Sequence, residues 1–529
     1  MDGNTVSLSR RDLIAAGLAA GALAPATAFA RVDAAASPVA MTAHGPVRGY
    51  VEDGIKVFKG VRYGADTRAR RFMAPLPPEP WTEVRDALQY GPAAAQKGQP
   101  GSEDCLFANV WTPGLADGGK RPILFWIHGG AYSSGSATGA TTDGVRLCKR
   151  GDVVVVSIHH RLNVFGYGFF ARLGDASFAD SGNAGQLDLV LALKWMRANA
   201  AAFGGDPDRI MVFGQSGGGA KIATLMAQPA AKGLFSRAIT MSGQQVTASG
   251  PINATRRAQT FLAQLGLKPD QVGQLRDLPT ARLVEGLAAE DPILGFGGLY
   301  FGPTLDDRNL LRHPFYPDAH PLGRSVPMII GNCHDETKAF MGGDPTNFTA
   351  SWDDLPGKMN PGAMRIDVSP EAVIATYRKM YPNYSPSDVL FAATTAGRSW
   401  RGAVIEAEER AKSGSPAWAY EFAWASPLRN GGKGAGHGSD IAPAFDNIAK
   451  LGDRPVGDNP QAVADMMSET FIAFARTGDP NNPRIPRWDK YGLPRRQTMV
   501  FDVKPQLVND PRGAEREYFS YIPYIQPGS

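Results

Sequence analysis

Met211–Lys221 reads MVFGQSGGGAK, and its one serine, Ser216, stands between Gly214 and Gly218. An apolar run precedes it and a helix-forming run follows. A G-x-S-x-G pentapeptide between a strand and a helix puts the serine on a sharp, strained turn, with its hydroxyl projecting above the sheet. Small neighbours let the two backbones approach. The following helix N-terminus points N–H groups at the site and favours developing negative charge. A serine so placed needs a base to become a nucleophile and amide donors for the oxyanion it creates. In a chain with 61 glycines the pentapeptide alone is a weak signal, so its partners decide.

Donors are found upstream. LFWIHGGAY (Leu124–Tyr132) ends an apolar run in His-Gly-Gly, where missing side chains let backbone N–H groups point into a cavity. His128 lies inside that loop and reads as structural. His159-His160 has no third ligand at a telling spacing, which argues against a metal. Neither a G-x-G-x-x-G after a strand nor a Walker lysine pattern occurs, so no cofactor is implied.

These groups need a scaffold. PILFWIHGG (Pro122–Gly130), VVVVSIHHR (Val153–Arg161), RIMVFG (Arg209–Gly214), VPMIIGN (Val326–Asn332) and PAWAYEFAW (Pro416–Trp424) read as buried strands. Gln186–Phe203 and GAKIATLMAQ after the pentapeptide have helical spacing. Strands alternating with helices indicate an α/β fold with a mainly parallel sheet. Helical segments and glycine-rich loops between about Thr255 and Asp318 read as elaborations at the carboxyl edge of the sheet.

The chain has 529 residues and a net charge of +4, with no Lys/Arg-rich block, so nothing points to nucleic acid. Its three cysteines, Cys105, Cys148 and Cys333, do not make a disulfide framework and read as free, buried thiols. Residues 1–30 carry Arg10-Arg11, an alanine-rich apolar run and Ala28-Phe29-Ala30, in the order of a twin-arginine export signal. That run is too short and alanine-rich for a stable membrane anchor. The expectation is a periplasmic or secreted protein whose residues 31–529 form one catalytic domain. Sequons at Asn253, Asn347 and Asn383 read as chance.

Together SEDCLFANVW (Ser102–Trp111), HGGAY, HHRLNVFGYG (His159–Gly168), FGGDPDRIMVFGQSGGG and GHGSDI (Gly436–Ile441) resemble the type-B carboxylesterases, the group that includes the cholinesterases. The resemblance runs from about Val39 to Tyr524. It implies an α/β-hydrolase fold: a large, mostly parallel central sheet flanked by helices, with helical and loop insertions over an active-site gorge. It implies a serine hydrolase cleaving small-molecule carboxylic esters, with Ser216 as nucleophile, His437 as general base and Glu336 as the acid. Gly130, Ala131 and Gly217 match the oxyanion donors. Asp335 competes with Glu336, and His334 with His437; the family match favours Glu336, and the glycines around His437 favour that ring. Arg161 and Asp188 match a structural ion pair. Ser242 and Asp440 resemble a second buried polar network beside the triad.

The chain also departs from its relatives. Gln215 stands where most have Glu, and Arg85 is read in the place of the tryptophan that stacks on choline. Both argue against a cholinesterase. GVRYGADTRARRF (Gly60–Phe72) carries four arginines, either solvated or shaping a gorge mouth that favours anionic substrates. Phe296, Phe301 and Tyr420 are candidates for the acyl and alcohol pockets. Lipase, thioesterase or amidase activity would use the same machinery. A non-catalytic binding protein of the same fold is the reading from another class.

Overall fold

Buried β-branched and aromatic runs supply the central strands of one eleven-stranded sheet, with partly exposed strands at its two edges. In chain order the strands are β1 (Tyr50–Glu52), β2 (Ile55–Arg62), β3 (Phe107–Thr112), β4 (Arg121–Ile127), β5 (Val154–Ile158), β6 (Gly205–Gln215), β7 (Arg237–Met241), β8 (Met328–Cys333), β9 (Ala417–Phe422), β10 (Gln497–Phe501) and β11 (Gln506–Asn509). The structure is a computed structural model that describes residues 37–366, 368–428, 432–524 and 526. The export-signal segment, residues 1–30, lies outside the described residues.

The spatial order is β11-β10-β9-β8-β7-β6-β4-β5-β3-β2-β1. Every ladder from β5 to β10 is parallel, whereas β1, β2, β3 and β11 join antiparallel at the two edges. The chain moves one way from β4 to β5 and the other way from β6 onward. In open α/β sheets, ligands bind at the carboxyl ends of strands flanking such a reversal.

Apolar residues cover both faces of the sheet. Along β4, Ile123, Phe125 and Ile127 join one buried cluster with Leu189 and Leu193 of α1 (Ala184–Asn199). Leu124 and Trp126 join another with Phe471 and Phe474 from the far-side helix Pro460–Thr477. Side chains alternate across a strand, so a strand covered on both faces must be apolar at every position. That is why these strands read as unbroken apolar runs. The helix after β6 is α2 (Gly217–Leu225). Cys105, Cys148 and Cys333 are buried free thiols, as expected.

Two insertions bear on the site. Pro251–Gln264 and Thr280–Gly286 are helices whose Phe261 and Leu283 share a cluster with Tyr132 and Phe301, within the region expected to elaborate the sheet. A second set, α3 (Pro370–Met380), α4 (Pro386–Thr395) and α5 (Arg401–Lys412), was not anticipated. It buries its own core of Val373, Tyr377 and Leu390. Its signals were present: Ser369 and Ser385 cap the first two helices, each followed by proline at the first helical position.

Arg161, after β5, meets Asp188 of α1 in a fully buried pair. The carboxylate accepts from Nη2 at 2.6 Å, from Nε at 2.9 Å and from the Arg161 amide at 2.9 Å. The remaining guanidinium nitrogen, Nη1, donates to Met73 O at 2.8 Å. Removing one partner strands the other charge in the core. Asp188→Ala is therefore expected to cost about 3–5 kcal/mol of stability, read as a fall in the denaturant midpoint with Arg161 left in place.

Candidate active site

Ser216 follows the last residue of β6 and begins α2. Its backbone sits at φ 57°, ψ −126°, a conformation that costs a non-glycine residue of order 1–3 kcal/mol. Surrounding contacts hold it there. The Ser216 amide donates to Met241 O of β7 at 2.7 Å, and Ser216 O accepts from the Ala220 amide at 3.1 Å. On the other side the turn presses on β4 and the loop after it. A Cβ on Gly217 would collide with Ala131 O, and one on Gly218 with Ile127 O. The glycines of the pentapeptide thus answer a close approach of two backbones.

The loop after β4 carries Gly130 at φ 91° and Ala131 at φ 51°. Gly130 O accepts from the amides of Ser133 and Ser134 at 3.1 and 3.0 Å, closing a tight turn. Among the described residues, the amides of Gly130, Ala131 and Gly217 donate to no protein acceptor. Ala131 and Gly217 border the same cavity of about 270 Å³ as Ser216 and His437.

Glu336 follows β8, and His437 lies in the segment after β9. Glu336 is fully buried, and its Oε2 pairs with His437 Nδ1. Its Oε1 accepts from the Cys333 amide at 2.8 Å and from Asn332 Nδ2 at 3.2 Å. The carboxylate is therefore saturated with donors and cannot swing away. The His437 side chain keeps 14% of its surface open and borders the cavity, with the Phe340 ring 4.7 Å away. A hydroxyl on a strained turn, an imidazole oriented by a buried carboxylate and free amides across one cavity are the parts that nucleophilic acyl transfer requires.

The rival residues fall elsewhere. Asp335 accepts from the Ala435 amide at 3.0 Å and pairs with Lys338 and His334, both at least partly solvent-facing. His334 is 45% exposed in its side chain and does not border the cavity. His128 is buried, stacked on His160 at 4.6 Å, and its Nδ1 lies 2.9 Å from Gly129 O. His159 and His160 direct Nδ1 to backbone oxygens of Pro92 and Arg161. Ser242 donates to Cys333 Sγ at 3.8 Å, whereas Asp440 accepts from Tyr420 Oη at 2.7 Å, so the two are not bonded to each other.

Several expectations about specificity need correction. Arg85 is exposed on a short edge strand, stacked on Trp81 at 4.4 Å, and does not border the cavity. It therefore cannot act on a bound cation. Of the four arginines in Gly60–Phe72, Arg62 pairs with Asp104, Arg71 with Glu103 and Arg68 with Asp66, and none lines the cavity. Tyr420 and Phe301 are core residues, and Phe296 lies under Arg365. Tyr132, Tyr300, Phe340 and Tyr524 supply the aromatic walls instead. Gln215 is buried, with Nε2 unpaired among the described residues.

One group was missed. Lys221, five residues after Ser216, is fully buried and has no carboxylate partner among the described residues. Its Nζ donates to Ala131 O at 2.7 Å and lies 3.4 Å from His128 O, over the Tyr132 ring. It ties α2 to the loop that carries Gly130 and Ala131. Burial pulls its amine from 10.5 down to about 7. The signal was a lone charge among the apolar residues of α2.

The chain belongs to the carboxylesterase family, whose model it matches over residues 36–519. It is a carboxylic ester hydrolase of the α/β-hydrolase fold. It is 32% identical over 504 residues to the para-nitrobenzyl esterase of Bacillus subtilis (strain 168), covering 90% of this chain and 98% of that one. It is 33% identical over 477 residues to the phenmedipham hydrolase of Pseudarthrobacter oxydans, covering 86% and 93%. A carboxylesterase structure from Geobacillus stearothermophilus superposes with a TM-score of 0.80 at 34% identity, covering 90% of this chain and 99% of that one.

Lys221→Met removes the donor from the Ala131 carbonyl, and kcat is expected to fall about tenfold, the worth of one or two hydrogen bonds. Between pH 7 and 10.5 the unfolded lysine binds a proton that the folded one has released, so this residue makes stability rise with pH across that window. Denaturant midpoints measured through the window should rise less steeply in Lys221→Met than in the parent.

Proposed function

We propose that the chain hydrolyses short carboxylic esters through a Ser216–His437–Glu336 triad. The observation that carries this reading is that His437, paired with the buried Glu336, borders the same cavity as Ser216. In the first half-reaction Ser216 Oγ attacks the ester carbonyl carbon while His437 Nε2 takes its proton. Glu336 holds Nδ1–H and stabilises the imidazolium. The carbonyl oxygen becomes an oxyanion facing the amides of Gly130, Ala131 and Gly217. Collapse breaks the C–O bond, and His437 returns the proton to the departing alcohol. Water then attacks the acyl-enzyme with His437 as base, releasing the carboxylic acid and Ser216.

The cavity size supports a class of small substrates. At about 270 Å³ it lies at the lower edge of the range that encloses drug-sized ligands. That supports short acyl and alcohol groups over long-chain lipids. The names of its relatives, para-nitrobenzyl esterase and phenmedipham hydrolase, agree with a family that takes small substrates.

The test is hydrolysis of p-nitrophenyl esters from acetate to palmitate. Turnover should peak at the short members and fall by several orders of magnitude in Ser216→Ala. An optimum at palmitate would make it a lipase. No turnover on any ester, with no labelling of Ser216 by a fluorophosphonate, would sink the catalytic reading.

We also propose export through the twin-arginine route, supported by the order of Arg10-Arg11, apolar run and Ala-x-Ala in residues 1–30. Replacing Arg10 and Arg11 by lysine should leave the full-length precursor inside the cell. Unchanged processing would exclude that route.

A further inference from the structure

Besides His437 and three tyrosines, the ionisable side chains bordering the active-site cavity are two arginines, Arg365 and Arg398; no Asp or Glu is among its described lining residues. Three other arginines of the chain are matched to carboxylates. Arg257 meets Asp291 at 2.7 Å, and Arg71 and Arg62 meet Glu103 and Asp104, each at 2.6 Å. Arg365 and Arg398 form no ion pair and no side-chain hydrogen bond among the described residues, and Arg365 Nε is buried without a partner. Both are half-buried rather than extended into solvent.

Aromatic rings hold them instead. The Arg398 guanidinium lies 4.3 Å from the Phe340 ring, and the other neighbour of Phe340 is the His437 ring at 4.7 Å. Arg365 lies 5.2 Å from Phe296. A ring contact engages the π face of a guanidinium and leaves its N–H donors unspent. The backbone under both is irregular. Arg398 sits in the π-helical turn Ala396–Trp400 between α4 and α5, and Arg365 has φ 57° after the short helix Pro361–Met364. Single π turns recur at functional sites. Ser399 of that turn accepts from Asn332 Nδ2 at 2.7 Å, the same amide that donates to Glu336. The arginine-bearing turn is thus braced against the acid beside His437.

Two cations kept close in a half-dry cavity repel each other and lose hydration. Burial first, and then Arg365, pull Arg398 down to about 10. An arrangement that costs energy in the empty site is explained by an anion that relieves it. Arginine's planar fork suits a carboxylate, to which it can donate two parallel hydrogen bonds.

We propose that the ester taken by this site bears a free carboxylate, held by Arg365 and Arg398 while its ester carbonyl lies at Ser216. Half-esters of dicarboxylic acids carry the anion on the acyl side, and esters of hydroxy acids carry it on the alcohol side. The inference rests on the Ser216-centred hydrolysis proposed above. Of the four arginines of Gly60–Phe72, Arg62, Arg68 and Arg71 have their own carboxylates, and none of the four borders the cavity.

The test uses the full-length mature enzyme and two matched substrate pairs. Mono-p-nitrophenyl glutarate against p-nitrophenyl pentanoate reads the acyl side; meta-acetoxybenzoate against phenyl acetate reads the alcohol side. In at least one pair kcat/KM should favour the carboxylate member by about 10- to 100-fold, the range set by charge-assisted hydrogen bonds. In Arg398→Gln and Arg365→Gln the loss on that member should exceed the loss on its neutral partner about tenfold, with Arg398→Lys restoring part of it. Independently of any variant, glutarate should inhibit wild-type hydrolysis of a neutral ester at far lower concentration than glutaramide. Preference for the neutral member in both pairs would overturn the proposal. So would equal losses on both members, or equal inhibition by the two compounds. Turnover of the neutral esters would leave the hydrolase reading standing in those cases. Only the absence of all turnover and labelling would overturn both.

Discussion

The contact between the β6–Ser216–α2 turn and the carbonyls at the end of β4 is the constraint on which the site depends. Two backbones meet there without side chains between them, at Gly217 against Ala131 and Gly218 against Ile127. The approach places the nucleophile and the amides of the neighbouring loop on one cavity wall. It also keeps Ser216 at a φ and ψ that a free chain would avoid, because β7 holds its amide and the first turn of α2 holds its carbonyl. Lys221 then pins the loop from beneath, through carbonyl oxygens that the turn leaves without strand partners.

The rest of the sheet brings the other groups to the same edge. Parallel strands put all their carboxyl ends on one side, so the segments after β4, β6, β8 and β9 open toward one cavity. Glu336 is fixed by two donors at Oε1, and its Oε2 goes to His437. Hydrogen bonding of this kind distinguishes the two adjacent carboxylates, since only Glu336 pairs with His437. Asp335, one residue earlier, faces the opposite way and spends itself on His334 and Lys338. Charge is sorted in the same manner. Most buried arginines are neutralised by carboxylates, which leaves the cavity pair of Arg365 and Arg398 as the feature that distinguishes this site electrostatically.

Much of this was legible from residue order. The central strands β4, β5, β6, β8 and β9 were readable because a strand covered on both faces must be apolar throughout. The elbow was readable because only glycine tolerates the backbone approach, and the positions of Glu336 and His437 followed from the resemblance. The strands β1, β2, β3, β7, β10 and β11 and the helices α3 to α5 were not read; of these β1, β2, β11 and α3 are partly exposed and lack a continuous apolar signature. The specificity residues failed for a different reason. Arg85 and the arginines of Gly60–Phe72 carried the right chemistry, but whether an arginine is spent depends on which carboxylate folds against it, and those partners lie up to 42 residues away in the chain.

The sequence by itself determined the fold class and the family and singled out Ser216 as the candidate nucleophile, because backbone sterics and strand periodicity are local and leave their mark on adjacent residues. Only the tertiary structure decided which charges remain unpaired at the cavity, which aromatic rings wall it, and that Lys221 braces the oxyanion loop. Those outcomes depend on distances between segments far apart in the chain, and pairing energies in a low-dielectric interior are set by those distances rather than by residue type.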